Sequence, residues 1–131
     1  MAYEEIVRSI SLDADSSVAV YTGVPGQPGS ASPNGGKQYH FVKITGNHTC
    51  GLADANDTNV VGVLQNKPQQ VGMACTVATQ GVSRVVADKA VAAGADVYVS
   101  ADGQGTDADG GGVKVGQAVT PANAAGEIFS V

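Results

Sequence analysis

The sequence has no tryptophan, only two phenylalanines and four tyrosines among its 131 residues. A sugar-binding face built on exposed indoles is therefore absent. Charge is also scarce: Asp, Glu, Lys and Arg make up 15% of the chain, against about a quarter in an average domain. A surface so poor in charge fits one that is covered by a partner or by copies of itself; surface Ser, Thr, Asn and Gln are the other explanation. The seven basic residues stand singly, at Arg8, Lys37, Lys43, Lys67, Arg84, Lys89 and Lys114, and the formal net charge is −5. No basic patch for a phosphate backbone can be drawn from them, so no nucleic-acid partner is expected. No apolar run reaches membrane-spanning length, and no membrane partner is expected either. The start "MAYEEIVRS" lacks the basic and apolar regions of a signal peptide, which predicts synthesis in the cytoplasm. Two cysteines, Cys50 and Cys75, are too few for a disulfide framework. They read as small, packed, reduced thiols, with a disulfide between them left open.

What is present is valine, alanine and 18 glycines. Valine-rich runs cut by glycine at short intervals favour strands and tight turns. "SVAVYT" (17–22), "QYHFVKIT" (38–45), "NVVGVLQ", "MACTVATQG", "SRVVA", "ADVYVS", "GVKVGQAV" and "GEIFSV" all read as short strands. Their spacing of roughly eight to twelve residues predicts an all-β fold, a small β-barrel or β-sandwich of short antiparallel strands. In "YEEIVRSISL" (3–12), Ile10 and Leu12 alternate with serine as in a half-buried strand, while Ile6, Val7 and Ile10 also fit a helical turn. "DKAVAAGA" (88–95) could likewise form one helical turn. The segment "GVPGQPGSASPNGGK" (23–37) holds three of the five prolines and reads as a loop. The expected organisation is an extended N-terminal arm and Pro/Gly-rich loop over 1–37, then a β-barrel or sandwich domain over 38–131.

Two stretches echo each other. "VGVLQNKPQQVGMACTV" (61–77) and "VGQAVTPANAAGEIFSV" (115–131) open on Val-Gly, carry a second glycine ten positions after the first, and close on valine. A shift of 54 residues lays Gly51 on Gly105, Gly62 on Gly116 and Gly72 on Gly126. The pattern predicts an internal duplication, in which glycine launches a strand whose alternate residues face one core.

No catalytic set emerges. His48-Thr49-Cys50 has no zinc-ligand spacing, His40 sits in a strand-like run, and there is no Gly-x-Ser-x-Gly elbow. The acidic loop "SADGQGTDADGGG" (100–112) is the weak metal candidate. Asp102, Asp107 and Asp109 are hard oxygen ligands of the kind calcium takes, but the EF-hand position twelve from Asp107 is Ala118. A solvated turn is the simpler reading. Two Asn-x-Thr sequons, at Asn47 and Asn56, carry no weight without a secretory signal. No cofactor is expected, and the chain does not read as an enzyme.

The order Val61-Gly62-Val63, Gly81-Val82-Ser83, Ala93-Gly94, Asp102-Gly103, Val115-Gly116 and Gly126-Glu127-Ile128 resembles the small all-β capsid decoration, or cement, proteins of tailed bacteriophages, over about residues 38–131. The resemblance implies a structural virion protein on the outer face of a phage head. Its partners would be the major capsid protein and itself, as a homotrimer near three-fold positions, clamping neighbouring subunits and stabilising the head. The first 37 residues depart from the shorter relatives. Tyr3, Ile6, Val7, Arg8 and Ile10 are the candidates for contact with the capsid. The arm either reaches a neighbouring subunit or packs on its own barrel as an ordinary strand. A tail- or fibre-associated carbohydrate-binding module is the alternative function.

Overall fold

The computed structural model describes residues 2–21 and 36–131, with the side chain of Val7 outside the description. Most of the Pro/Gly-rich loop expected over 23–37 therefore lies outside the described residues. Ten strands follow in order: β1 (Glu5–Ala14), β2 (Phe41–Gly46), β3 (Thr49–Leu52), β4 (Val60–Leu64), β5 (Ala74–Val82), β6 (Arg84–Val86), β7 (Asp96–Val99), β8 (Gly105–Thr106), β9 (Gly116–Gln117) and β10 (Ile128–Ser130). The first five close a barrel in the order β1-β3-β2-β4-β5. The all-β expectation holds, in its barrel form.

Residues 5–14 are part of that barrel. β1 runs antiparallel to β5 from Glu5↔Val82 to Asp13↔Ala74, with irregularities between Ile6 and Arg8 and between Arg8 and Ser9. It also touches β3 in parallel at Asp13↔Thr49 and Ala14↔Cys50. Of the two readings of the N-terminal segment, the structure takes the strand on its own barrel, and the helical turn is absent. Period-two alternation buries Leu12 and Ala14.

The duplication is written in the pairing. Leu12↔Cys75 returns as Val85↔Phe129, 73 positions on for the first strand and 54 for its partner. Ile44↔Cys50 returns as Val99↔Gly105, 55 positions on, which corrects the alignment of Gly51 with Gly105: the counterpart of Gly105 is Cys50. Val42↔Gly62 returns as Val97↔Gly116. The parallel contact Ala14↔Cys50 has its copy in the parallel bridge Ala87↔Gly105. Even loop bonds repeat: Gly72 N–H donates to Ala14 O at 2.8 Å, and Gly126 N–H to Ala87 O at 2.8 Å. β6 to β10 are thus a second, smaller set of the same five strands.

Each set has its own core. Leu12, Val42, Cys50, Leu64, Cys75 and Val77 fill the first. Val85, Val97, Val99 and Phe129 fill the second, joined by Phe41, Ala53 and Val63 from the first half. Cys50 and Cys75 correspond to Gly105 and Phe129. A Cβ on Gly105 would lie 2.8 Å from the Phe129 ring, so the large ring occupies the space its small counterpart vacates.

Three sequence expectations change. Residues 17–21 do not form a named strand, and Thr22 lies outside the described residues: Ser16–Val18 turn, and Val18 and Ala19 are buried in the bend. β2 begins at Phe41, because Tyr39 adopts a left-handed turn conformation (φ 64°). Residues 88–95 form turns instead of a helical turn, and Val91 bridges Ala122.

Candidate interaction surface

The two thiols are both fully buried in the first core and unpaired by any disulfide. Cys75 hydrogen-bonds Cys50, which together with burial pushes the Cys75 thiol above its usual range, while the bond lowers Cys50. The charges that reach them are the carboxylates of Asp15 and Asp13. Buried at 0% exposure among apolar side chains, the two thiols act as packing residues of the first core. His40 is half-buried with its Nδ1 3.0 Å from Gln38 O, and burial is the main cause that lowers its pKa from 6.5. His48 is exposed in a turn at φ 56°, its Nδ1 3.8 Å from an Asp13 carboxylate oxygen.

The acidic loop does not gather a ligand set. Asp107 pairs with Lys89 at 2.8 Å, and Asp109 Oδ1 accepts the Gly111 N–H at 2.9 Å. Among the described residues no group of three or more His, Cys, Asp or Glu side chains could hold a metal ion. Asp88 Oδ1 and Ser100 Oγ are buried with no hydrogen-bond partner among the described residues. They occupy the places of Asp15 and Thr45, which bond each other at 3.0 Å in the first half. Asp15 reaches Thr45 across Gly51, where a Cβ would lie 2.1 Å from the carboxylate. The counterpart of Gly51 is Thr106, which carries the side chain that Gly51 lacks.

What the chain exposes is apolar surface. Tyr3, Ile6 and Ile10 are 40%, 39% and 41% exposed, and Arg8 is exposed beside them. All four lie on β1 or just before it. Tyr3 is fixed there: its N–H donates to the buried Ser130 Oγ at 2.6 Å, and that hydroxyl donates back to Tyr3 O at 2.6 Å. Ile10 has the same parity as buried Leu12 and Ala14, yet it is open to solvent. β1 and β5 run past the end of the barrel as a two-stranded ribbon, and β3 meets β1 only at Asp13 and Ala14. The structure thus brings Tyr3, Ile6, Arg8 and Ile10 onto one ribbon; the Val7 side chain lies outside the described residues.

A second surface was not legible in the sequence. The β4–β5 ladder covers only Val63↔Ala78 and Leu64↔Val77, although β5 continues to Val82. The strands splay there, leaving a groove of about 480 Å³ walled by Val60, Val61, Val82, Val113, Val115 and Val119. Its lysine, Lys114, is held by Asp96 at 2.8 Å. Splaying depends on which residues pair, and a periodic sequence does not reveal that.

This geometry offers extended apolar and neutral surface. The model of the phage cement protein family matches residues 37–131. No curated protein matches the chain.

Proposed function

Because the chain belongs to the phage cement protein family, a structural family of the phage capsid, we propose that it binds the outer surface of an assembled head and stabilises the shell by bridging neighbouring major capsid subunits. The family match is the observation that carries this reading. The acidic chain and the exposed apolar ribbon support it. Made in the host cytoplasm, it would add to the head from outside, as trimers near three-fold positions. Tyr3, Ile6, Val7, Arg8 and Ile10 are the contacts proposed for the shell.

The stabilisation is mass action. A protein that binds the intact lattice and not its dispersed subunits shifts the equilibrium toward the lattice. Each contact can be modest, with about 800 Å² per partner typical of a specific interface. Several contacts per assembly reinforce one another through high effective concentration. The test is co-sedimentation with expanded, undecorated heads of the protein's own phage. Wild type is expected to pellet with heads and raise the temperature at which they release DNA. Ile6→Asp with Ile10→Asp is expected to weaken binding at least about tenfold. Heads that leave the wild-type protein in the supernatant would end this reading.

A further inference from the structure

The duplication accounts for most of the molecule, but not for the ribbon. The second copy of β1 is β6, three residues long, whereas β1 has ten. β1 also lies outside the residues that the family model matches. Among the described residues this added length has one neighbouring strand, β5, so from Glu5 to Leu12 its other edge has no strand partner there. A long strand edge flanked by exposed isoleucines is a template for another strand, and proteins blunt such edges or cover them. This one has no proline or lysine, and its irregularities fall between Ile6 and Ser9. Its charges are Glu4, Glu5 and Arg8, and none of them is in an ion pair among the described residues.

Those charges are self-complementary. The ladder skips Val7, so Glu5, Ile6 and Arg8 take successive places on the strand; when two copies of this edge run antiparallel across a two-fold axis beside Ile6, Arg8 of each therefore stands opposite Glu5 of the other, and symmetry makes the pair twice. We propose that the open edge of β1 pairs with the same edge of a second copy in this register, joining two barrels through a continuous sheet. The pairing goes beyond shell binding. It uses the backbone edge and the charge of Arg8, which then meets Glu5 of the second copy instead of the shell, and leaves the apolar side chains of Tyr3, Ile6 and Ile10 uncommitted. On a head, it would tie copies seated at neighbouring positions into a net.

The experiment is sedimentation equilibrium of the full chain over a concentration range reaching about 1 mM. The mean mass of wild type is expected to rise with concentration. R8E and E5R, each placing like charges opposite one another, are expected to flatten that rise at least tenfold in concentration. The double variant E5R/R8E, which swaps the charges, is expected to restore it. Amide hydrogen exchange adds a readout independent of charge: protection at residues 5–11 should grow with concentration. A wild-type mass that stays flat, an R8E variant that associates like wild type, or a double variant that fails to recover would each overturn the pairing. Head binding is scored separately, so failure of the capsid reading and failure of this one are told apart.

Discussion

Two bulky side chains stand where the second half of the molecule has glycine. Tyr39 (φ 64°) and His48 (φ 56°) are left-handed, and their counterparts are Gly94 (φ 83°) and Gly103 (φ 71°). An L side chain in that region costs about 1–2 kcal/mol, while glycine gives back part of this through its freer unfolded chain. His48 is exposed and loses little packing, so His48→Gly is expected to stabilise by about 0.5–1 kcal/mol. That is a rise of about 3 °C in a thermal melt; an unchanged or lower midpoint would show that the turn is unstrained. His40 makes a different prediction. Burial, the largest influence, holds its pKa below 6.5, so the unfolded chain takes up its proton first as pH falls. Stability from this group is complete above pH 6.5 and is lost as pH drops through the folded-state pKa. His40→Gln should flatten that part of a melting profile taken from pH 8 to 5. The carboxylates of Asp57 and Asp96, lowered by Lys43 and Lys114, act only near pH 4 and below.

The contact between β4 and β5 rests on a missing side chain. A Cβ on Gly62 would lie 2.1 Å from Ala78 O, a backbone atom that cannot step aside. On its counterpart Gly116, a Cβ would meet a terminal methyl of Val131 at 2.8 Å, which can rotate away. Gly62→Ala is therefore expected to cost about 2–4 kcal/mol, and Gly116→Ala clearly less, by urea denaturation. Equal costs would mean that the two ladders are not loaded as described. The same glycines made the duplication readable, since Gly62 with Gly116 and Gly72 with Gly126 keep one offset. β1 escaped that alignment because residues between it and β2 lengthen the first half, so Leu12 finds Val85 at a different offset. "SVAVYT" misled because Val18 and Ala19 are buried in a bend, and a bend can bury apolar residues as well as a strand does. Of the candidate interaction surface, Tyr3, Ile6, Arg8 and Ile10 are residues that the sequence reading put forward. Their exposure could not be read there: Ile10 has core parity, and only the overhang of the ribbon beyond the barrel leaves it in solvent.

The two strand sets are not two domains. Phe41, Ala53 and Val63 leave the first set to fill the second core, and backbone bonds cross between the halves. Phe41 N–H donates to Gly103 O at 2.7 Å, and Val86 N–H to Tyr39 O at 3.0 Å. Ser83 and Val131 exchange a pair of bonds at 2.9 Å each, while the Ser130 hydroxyl ties Tyr3 to the last strand. Each half alone would be a small chain with a correspondingly marginal core. The whole is therefore expected to unfold in one step, with calorimetric and van't Hoff enthalpies equal. Phe41→Ala should lower stability by about 3–5 kcal/mol and speed amide exchange in β3 and β7 alike, although only one of these strands belongs to each half. Two resolved heat-absorption peaks, or exchange that changes in one half alone, would show the barrels to be independent. The distinction bears on the proposed clamp: load entering at the β1–β5 ribbon reaches the second core through Phe41, the Ser83–Val131 bonds and the tie between Tyr3 and Ser130.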